Sequence, residues 1–216
     1  MAASVFITGG TGYIGRRVAA ALLGRGHRVR TLVRRGSENK APAGCDVVIG
    51  DPFDCATFAH AVASGDTFLQ LLGVPHPSPA KARQFVEIDL RSATESITAA
   101  AAAGVDHFVY VSVAQPAPVM QAYQQARARA ELALSQSGLR RTIVRPWYVL
   151  GPGHRWPYVL LPIYWMLERV PATREGARRL GLVTLEEMVG ALVHAVEHPP
   201  LTARIMDVPD IRSTAT

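Results

Sequence analysis

Runs of apolar residues alternate with segments of helical periodicity along most of the chain. Strands are predicted near 4–8, 28–33, 46–49, 66–72, 106–112, 140–145 and 204–208. Helices are predicted near 13–24, 54–63, 80–103, 119–137, 158–169 and 185–197. Regular alternation of this kind is typical of a parallel sheet with helices on both faces. We therefore expect an α/β fold with a doubly wound sheet, in which ligands bind beyond the carboxyl ends of the strands.

The first predicted strand leads into a glycine-rich turn before the first predicted helix. Gly10, Gly12 and Gly15 fit the spacing G-x-G-x-x-G, and Gly9 with the last two fits G-x-x-G-x-x-G. Such a turn lets the backbone approach a pyrophosphate, which the N-terminus of the helix then binds. The turn predicts a Rossmann-type dinucleotide site, and the alternative is a strand-to-helix turn with no ligand. The candidate residues are Gly9, Gly10, Thr11, Gly12, Tyr13, Ile14 and Gly15.

The end of the second predicted strand indicates which dinucleotide is bound. Arg34 and Arg35 stand there, and no Asp or Glu occurs between residues 16 and 37. An acidic residue at this position binds a free ribose 2′-hydroxyl, whereas arginine accommodates a 2′-phosphate. The two arginines therefore predict NADP(H) in preference to NAD(H), unless they are only solvated residues at a strand end. Further cofactor candidates follow the third and fourth strands and are Asp51, Pro52, Leu72 and Gly73.

The middle of the chain carries residues suited to acid–base chemistry. Ser112 ends the fifth predicted strand, and Tyr123 lies on the next helix with Arg127 one turn later on the same face. These features, the glycine turn, the segment 137–146 and the Gly-Pro-Gly at 151–153 together resemble the short-chain dehydrogenase/reductase superfamily. The resemblance is to its extended and atypical branches, which include nucleoside-sugar epimerases and NmrA-like proteins, and it covers about residues 4–153.

The resemblance implies a mechanism and shows one departure from it. A serine holds the substrate oxygen, a tyrosine transfers the proton, and a lysine four residues later binds the nicotinamide ribose and lowers the pKa of the tyrosine. Ser112 and Tyr123 match the first two residues, but Arg127 replaces the lysine. Arginine keeps the charge yet cannot relay a proton. The resemblance therefore implies an oxidoreductase or epimerase-like enzyme whose activity the arginine puts in question.

The segment after Gly151 is the candidate substrate region. Trp147, His154 and Trp156 could form the rim of an apolar pocket, although a role in the core is the alternative for such aromatic residues. We predict one domain over residues 1–216, with a cofactor-binding core at 1–153 and a small lobe at 154–203 on the substrate side. Because fixed polar donors are few here, a small or apolar carbonyl or alcohol substrate is expected. An interfacial helix on a membrane or partner is a weaker alternative.

Composition bears on nucleic-acid binding, metal sites, cellular location and membrane segments. The net charge is +6, but the basic residues are scattered, so nucleic-acid binding is not expected. Two cysteines are typical of a reduced, cytoplasmic protein, and the histidines and cysteines predict no metal site. The longest apolar run, twelve residues with two prolines, is too short to cross a bilayer, and the start of the chain leaves no room for a signal peptide.

Two classes of function remain. The first is an NADP(H)-dependent oxidoreductase or epimerase-like enzyme that uses Ser112, Tyr123 and Arg127. The second is a protein that binds NADP(H) as a sensor or in complex assembly and catalyses nothing, as the missing lysine would suggest. An accessory role in a respiratory complex is a weaker third possibility. The helices near 80–103 and 119–137 could pair two subunits into a homodimer.

Overall fold

Nine strands form two sheets in the computed structural model, which describes residues 2–75, 77–152, 166 and 169–214. The strands are β1 (Ser4–Thr8), β2 (Arg28–Val33), β3 (Asp46–Ile49), β4 (Thr67–Gln70), β5 (His107–Val111), β6 (Arg141–Val144), β7 (Tyr148–Leu150), β8 (Leu182–Thr184) and β9 (Ala203–Met206). The main sheet is parallel throughout, in the order β3-β2-β1-β4-β5-β6-β9, and β7 and β8 pair separately in parallel. The predicted doubly wound Rossmann-type fold is confirmed.

Helices cover both faces of the main sheet. They are α1 (Tyr13–Gly24), α2 (Ala82–Gln84), α3 (Arg91–Ala103), α4 (Gln121–Gln136), α5 (Pro171–Arg179), α6 (Leu185–Glu197) and α7 (Val208–Ser213). A π-helical turn over Phe85–Leu90 joins α2 to α3. The helix predicted at 80–103 is therefore present, but it is interrupted by a local change of helical geometry.

Alternate residues of the strands enter two separate cores. Val5 and Ile7 belong to the core under α1 and α6, whereas Phe6 belongs to the core under α3 and α4. In the second core the rings of Phe68 and Phe108 stack with their centroids 5.1 Å apart. Because both faces of the sheet are covered, its central strands read as continuous apolar runs instead of alternating ones.

The strand order reverses between β1 and β4. Strand β1 pairs with β2 from Ser4 opposite Arg28, and on its other side with β4 from Val5 opposite Thr67. The carboxyl ends of these three strands therefore border one crevice, which is where ligands of such sheets bind.

Several predicted elements differ from the structure. The helix predicted at 54–63 is replaced by two 3₁₀ turns, Cys55–Thr57 and Ala59–Ala61. Asp54 accepts a hydrogen bond from the N–H of Ala56, and the Thr57 hydroxyl donates to the Asp54 carbonyl oxygen. Such local bonds compete with a regular helix.

Differences are concentrated toward the end of the chain. The strand predicted at 204–208 occupies Ala203–Met206 and is followed by α7, which the pattern did not indicate. Strands β7 and β8 and helix α5 were likewise not predicted. Most of the helix predicted at 158–169 lies outside the described residues. A capping box begins α6, in which the Thr184 hydroxyl accepts the N–H of Glu187 while the Glu187 carboxylate accepts the N–H of Thr184.

A buried histidine makes the stability of this fold depend on pH. His107 is 0% exposed, and its Nε2 lies 2.9 Å from the hydroxyl of Thr142. Burial, helped by the charge of Arg140, lowers the pKa of His107 from 6.5 to about 4. The imidazole is therefore neutral in the folded protein at pH 7.

We expect the free energy of unfolding to decrease as the pH falls from about 6.5 to about 4. The unfolded chain binds a proton on His107 in this window and the folded chain does not, so acid favours unfolding by up to about 3 kcal/mol. His107→Gln should remove this part of the pH dependence in urea unfolding measured at several pH values. The matched control is His60→Gln at an exposed position. Equal slopes in the wild type and His107→Gln would contradict the assignment.

Candidate functional site

Close packing explains most of the glycines in the turn between β1 and α1. Gly9 has φ +77°, and a Cβ there would lie 2.8 Å from the Leu72 nitrogen. A Cβ on Gly10 would lie 2.1 Å from the Thr31 hydroxyl, and one on Gly15 would lie 2.2 Å from the Gly9 carbonyl oxygen. These three glycines are required by the fold, whether or not a ligand binds.

Gly12 differs from the other glycines because its surroundings are open. It is exposed, and a Cβ there would meet only the Gly9 carbonyl oxygen, at 3.1 Å. Gly12 is also the N-cap of α1, which has no side-chain cap and no acidic residue in its first turn. The start of α1 therefore presents backbone N–H groups and a positive dipole end to an anion. This arrangement fits the pyrophosphate of a dinucleotide.

A cleft of ≈ 490 Å³ lies in front of this turn, at the reversal of strand order. Seven of the residues predicted for the cofactor line it, namely Gly9, Thr11, Gly12, Arg34, Pro52, Leu72 and Gly73. A larger groove of ≈ 740 Å³ lies between α1 and α6, but its lining includes no residue of the glycine turn. We therefore take the smaller cleft as the candidate site.

Six other predicted cofactor residues do not line the cleft, which are Gly10, Tyr13, Ile14, Gly15, Arg35 and Asp51. Ile14 packs against the core under α1, and the Tyr13 hydroxyl lies so close to Gly151 that a Cβ there would approach it to 2.1 Å. The carboxylate of Asp51 accepts the N–H of Phe53 at 2.9 Å. For Tyr13 and Ile14, only their backbone N–H groups remain candidates for a phosphate.

The cleft also contains residues that the sequence prediction missed. Ser37 and Lys40 lie beside Arg34 in its lining, and Phe53 and Ile88 belong to its apolar part. Lys40 adds a second cation near the end of β2, where a ribose would lie. Lys40 could have been predicted from the sequence, since it is a further cation in the loop that follows Arg34 and Arg35. Phe53 directly follows the predicted Asp51 and Pro52 and could have been included with them.

Ser112, predicted to hold the substrate oxygen, does not face this cleft. It is 2% exposed, and its hydroxyl donates to the carboxylate of Glu131 on α4. The same carboxylate is ion-paired with Arg145 and accepts a hydrogen bond from Gln115. Its bond to α4 directs the hydroxyl of Ser112 into the packing between β5 and that helix. We therefore assign no catalytic role to Ser112.

Tyr123, predicted to transfer the proton, does not line the cleft but packs beside a residue that does. It is partly exposed, and its ring packs against Phe85 with a centroid distance of 4.9 Å. It belongs to a small apolar cluster with Val74 and Ile88, and Ile88 lines the cleft. The Cζ of Arg127 lies 5.2 Å from the centre of its ring, as the spacing on one helix face predicts.

Arg127, predicted to assist Tyr123 and the nicotinamide ribose, instead points into the protein. It is 5% exposed, and its Nη2 lies 2.5 Å from a carboxylate oxygen of Asp89. Its Nη1 donates to the Val111 carbonyl oxygen at 2.7 Å and to the Tyr110 hydroxyl at 3.3 Å. The guanidinium is therefore occupied by internal partners.

Burial dominates the titration of the tyrosines beside Arg127. It raises the pKa of Tyr110 to about 12, against the opposing effect of the Arg127 charge. Burial also raises the pKa of Tyr123 above its usual value of 10, Arg127 acts in the opposite direction, and the Asp89 carboxylate adds to the increase. Both phenols are therefore protonated at neutral pH.

Of the predicted substrate residues, only Trp147 is described. It is partly buried against the core under α1 and α6, and its ring meets that of Tyr148 edge-on at 5.4 Å. This contact favours the role in the core. His154 and Trp156 lie outside the described residues.

The remaining titratable residues offer no further centre in the part of the chain that the structure describes. His194 and His198 are one helical turn apart, a spacing that the sequence prediction overlooked, and their rings stack at 4.2 Å. Among the described residues, no group of three or more His, Cys, Asp or Glu could hold a metal ion. No described helix is both long enough and apolar enough to cross a membrane.

A family model described as NAD(P)H-binding matches residues 9–156, which is more than half of the chain. The chain belongs to this NAD(P)H-binding family. The family match agrees with the glycine turn and the cleft, and it confirms the NAD(P)-binding function that the resemblance to the short-chain dehydrogenase/reductase superfamily implies. It leaves open which of the two dinucleotides is preferred.

Similar proteins include two reductases and an enzyme of known structure. Ceramide reductase of Caulobacter vibrioides is 26% identical, over 96% of this chain and 65% of its own length. The 3-diazoavenalumate denitrifying reductase of a Streptomyces species is 27% identical, over 89% of this chain and 72% of its own. The Bordetella bronchiseptica enzyme WbmH, solved in complex with NAD+, shares the fold with a TM-score of 0.71 at 21% identity, over 96% of this chain and 76% of that one.

Two substitutions in the turn should separate ligand binding from folding. Gly12→Ala should lower the melting temperature much less than Gly15→Ala and weaken NADPH binding by about tenfold or more, because the Cβ would stand where the pyrophosphate approaches. Gly15→Ala should instead lower the melting temperature, because its Cβ would collide with the Gly9 carbonyl oxygen. Calorimetric titration and thermal unfolding measure the two effects.

Gly24→Ala is the matched control, since a Cβ there would meet nothing within 4 Å. It should change neither quantity adversely. Undiminished NADPH binding by Gly12→Ala would contradict the placement of the pyrophosphate.

Proposed function

We propose that the protein is an NADP(H)-dependent reductase of an apolar carbonyl compound. The observation that carries this proposal is the cleft at the reversal of strand order, with open Gly12 on one side and the cations Arg34 and Lys40 on another. The NAD(P)H-binding family and its reductase relatives support the cofactor class and the type of reaction.

The lining residues suggest how the cofactor would be held. The N-terminus of α1 at Gly12 would bind the pyrophosphate, and the backbone at Leu72 and Gly73 would border the nicotinamide half. Arg34 and Lys40 would bind the 2′-phosphate, which is a dianionic group well matched to two cations. Among the described residues that line the cleft none is acidic, so none of them selects for a free 2′-hydroxyl over a 2′-phosphate.

Tyr123 is the proposed proton donor. When bound, the reduced cofactor supplies a hydride to a carbonyl carbon. The phenol of Tyr123 would donate its proton to the carbonyl oxygen, which completes the alcohol. The phenol is protonated at neutral pH, which is the form that donates a proton, although its raised pKa makes it a weaker acid than a free phenol. Because Tyr123 is partly exposed, water can return the proton.

The proposed substrate class rests on chemistry and on one relative. The described lining of the cleft near Gly73 is apolar, with Leu72, Pro75 and Ile88. Ceramide, named for the Caulobacter relative, is a long-chain lipid, and an apolar carbonyl compound is the corresponding expectation for this chain. The prediction that Trp147, His154 and Trp156 form the pocket rim stays a prediction.

Binding of NADP(H) without catalysis is the second candidate function. It is favoured by the commitment of Arg127 to Asp89 and of the Ser112 hydroxyl to Glu131, which leaves Tyr123 without the helpers that the family resemblance implies. The rates of NADPH-dependent reduction by the wild type and by Tyr123→Phe decide between the two functions. Cytoplasmic location, the homodimer and the two-part division of the domain also stay predictions.

The cofactor preference should depend on the cations at the end of β2. We expect the wild type to bind NADPH at least about tenfold more tightly than NADH, and Arg34→Ala and Lys40→Ala each to reduce this ratio by about tenfold. NADH binding should change little, because NADH lacks the 2′-phosphate. Arg35→Ala is the control, since Arg35 does not line the cleft. Equal affinity of the wild type for both dinucleotides would refute the preference.

Turnover should depend on the Tyr123 hydroxyl. With NADPH and a panel of long-chain ketones and aldehydes, Tyr123→Phe should lower kcat by about a hundredfold or more while NADPH binding is retained. Gln125→Ala, at an exposed position on the same helix, should behave as the wild type. If no compound is reduced faster by the wild type than by Tyr123→Phe, the non-catalytic function gains.

A further inference from the structure

Arg127 and Asp89 form a buried ion pair behind the cleft. Asp89 is 0% exposed and lies in the π-helical turn between α2 and α3. One of its carboxylate oxygens meets Nη2 of Arg127 at 2.5 Å, and the other accepts the N–H of Val74 at 3.1 Å. The pair therefore connects α4 to the chain segment that follows β4.

Gly73 lies directly on this ion pair. A Cβ at Gly73 would lie 2.3 Å from Nη2 of Arg127 and 2.8 Å from the Asp89 carboxylate. Gly73 also lines the cleft. The backbone at Gly73 therefore has the ion pair on one side and the candidate cofactor site on the other.

The same contacts prevent Arg127 from binding the nicotinamide ribose, which is the role that the family resemblance implies for a lysine at this position. Its guanidinium would reach a ribose only by leaving Asp89 and the Val111 carbonyl oxygen. A buried carboxylate without its partner is strongly unfavourable, so the ion pair opposes this movement.

We propose that Arg127 and Asp89 are positioning residues, which fix the backbone of Leu72–Val74 at the depth that the nicotinamide half of the cofactor requires. Arg127 acts through Gly73 and does not contact the ribose. Asp89 acts through the N–H of Val74 and through Arg127. This inference rests on the proposed placement of the cofactor in the cleft.

The effect of Gly73→Ala on NADPH binding should depend on the side chains at positions 89 and 127. Gly73→Ala should weaken NADPH binding by about tenfold or more, because the new methyl group must push the backbone toward the cleft or disrupt the ion pair. In a chain that carries Asp89→Asn and Arg127→Gln, the approach of the methyl group to Nη2 is removed, and the side chain at 89, which no longer binds a guanidinium, can turn away from the methyl group. Adding Gly73→Ala in that background should therefore weaken binding by less than about threefold.

The test compares two ligands in calorimetric titrations of four chains: the wild type, Gly73→Ala, the Asp89→Asn/Arg127→Gln variant, and the triple variant. NADPH fills the whole cleft, whereas adenosine 2′,5′-bisphosphate fills only the adenosine half beside Arg34. We expect the variants to lose affinity for NADPH and to bind adenosine 2′,5′-bisphosphate as the wild type does. Bound fragment also shows that each variant is folded. Should the paired variant fail to fold, the wild type, Gly73→Ala, Arg127→Lys and Gly73→Ala/Arg127→Lys form a second cycle, which measures the same coupling with a charge retained opposite Asp89.

Two results would overturn the proposal. One is equal loss of affinity for NADPH and the fragment, which would mean a general disturbance of the fold. The other is the same NADPH loss from Gly73→Ala in both backgrounds, which would mean that the ion pair does not support Gly73. Failure of the wild type to bind either ligand would instead refute the proposed placement of the cofactor, and with it this inference.

Discussion

The close approach of the glycine turn to the end of β4 is the contact on which the whole site depends. Gly9 packs so tightly against Leu72 that no side chain fits between them, and the N–H of Leu71 donates to the Thr8 carbonyl oxygen at 3.0 Å. This contact brings the two segments together where the strand order reverses. One segment offers the N-terminus of α1, the other offers the backbone at Gly73, and the cleft lies between them.

The cations of the site and of its walls are divided between the cleft and the interior. Arg34 and Lys40 remain exposed at the end of β2, where they are suited to a phosphate. Arg127 is buried with Asp89, and its charge supports the walls of the site. The arrangement fits the proposed placement of a dinucleotide in the cleft. Proton transfer is proposed for Tyr123, whose raised pKa opposes loss of its proton.

The sequence patterns predicted those features that are determined by residues adjacent in the sequence. The glycine turn, the central strands and the capping box at Thr184 were predictable because each is specified by a few consecutive residues. The segment 54–63 was not, because bonds from Asp54 and Thr57 redirect its backbone.

The partner of Arg127 was also not predictable from the sequence. Asp89 lies 38 residues earlier, and it meets Arg127 only through the packing of a π-helical turn against α4. Ser112 has the expected position at the end of a strand, but its hydroxyl is directed by a glutamate on another element.

A crystal structure of the protein with NADPH would test the central claim most directly, because that claim assigns each half of the cofactor to particular residues. The account predicts the pyrophosphate at the N-terminus of α1 over Gly12, the 2′-phosphate between Arg34 and Lys40, and the nicotinamide beside Gly73 with Arg127 still on Asp89. NADPH bound elsewhere, or Arg127 turned away from Asp89 to contact the nicotinamide ribose, would contradict it.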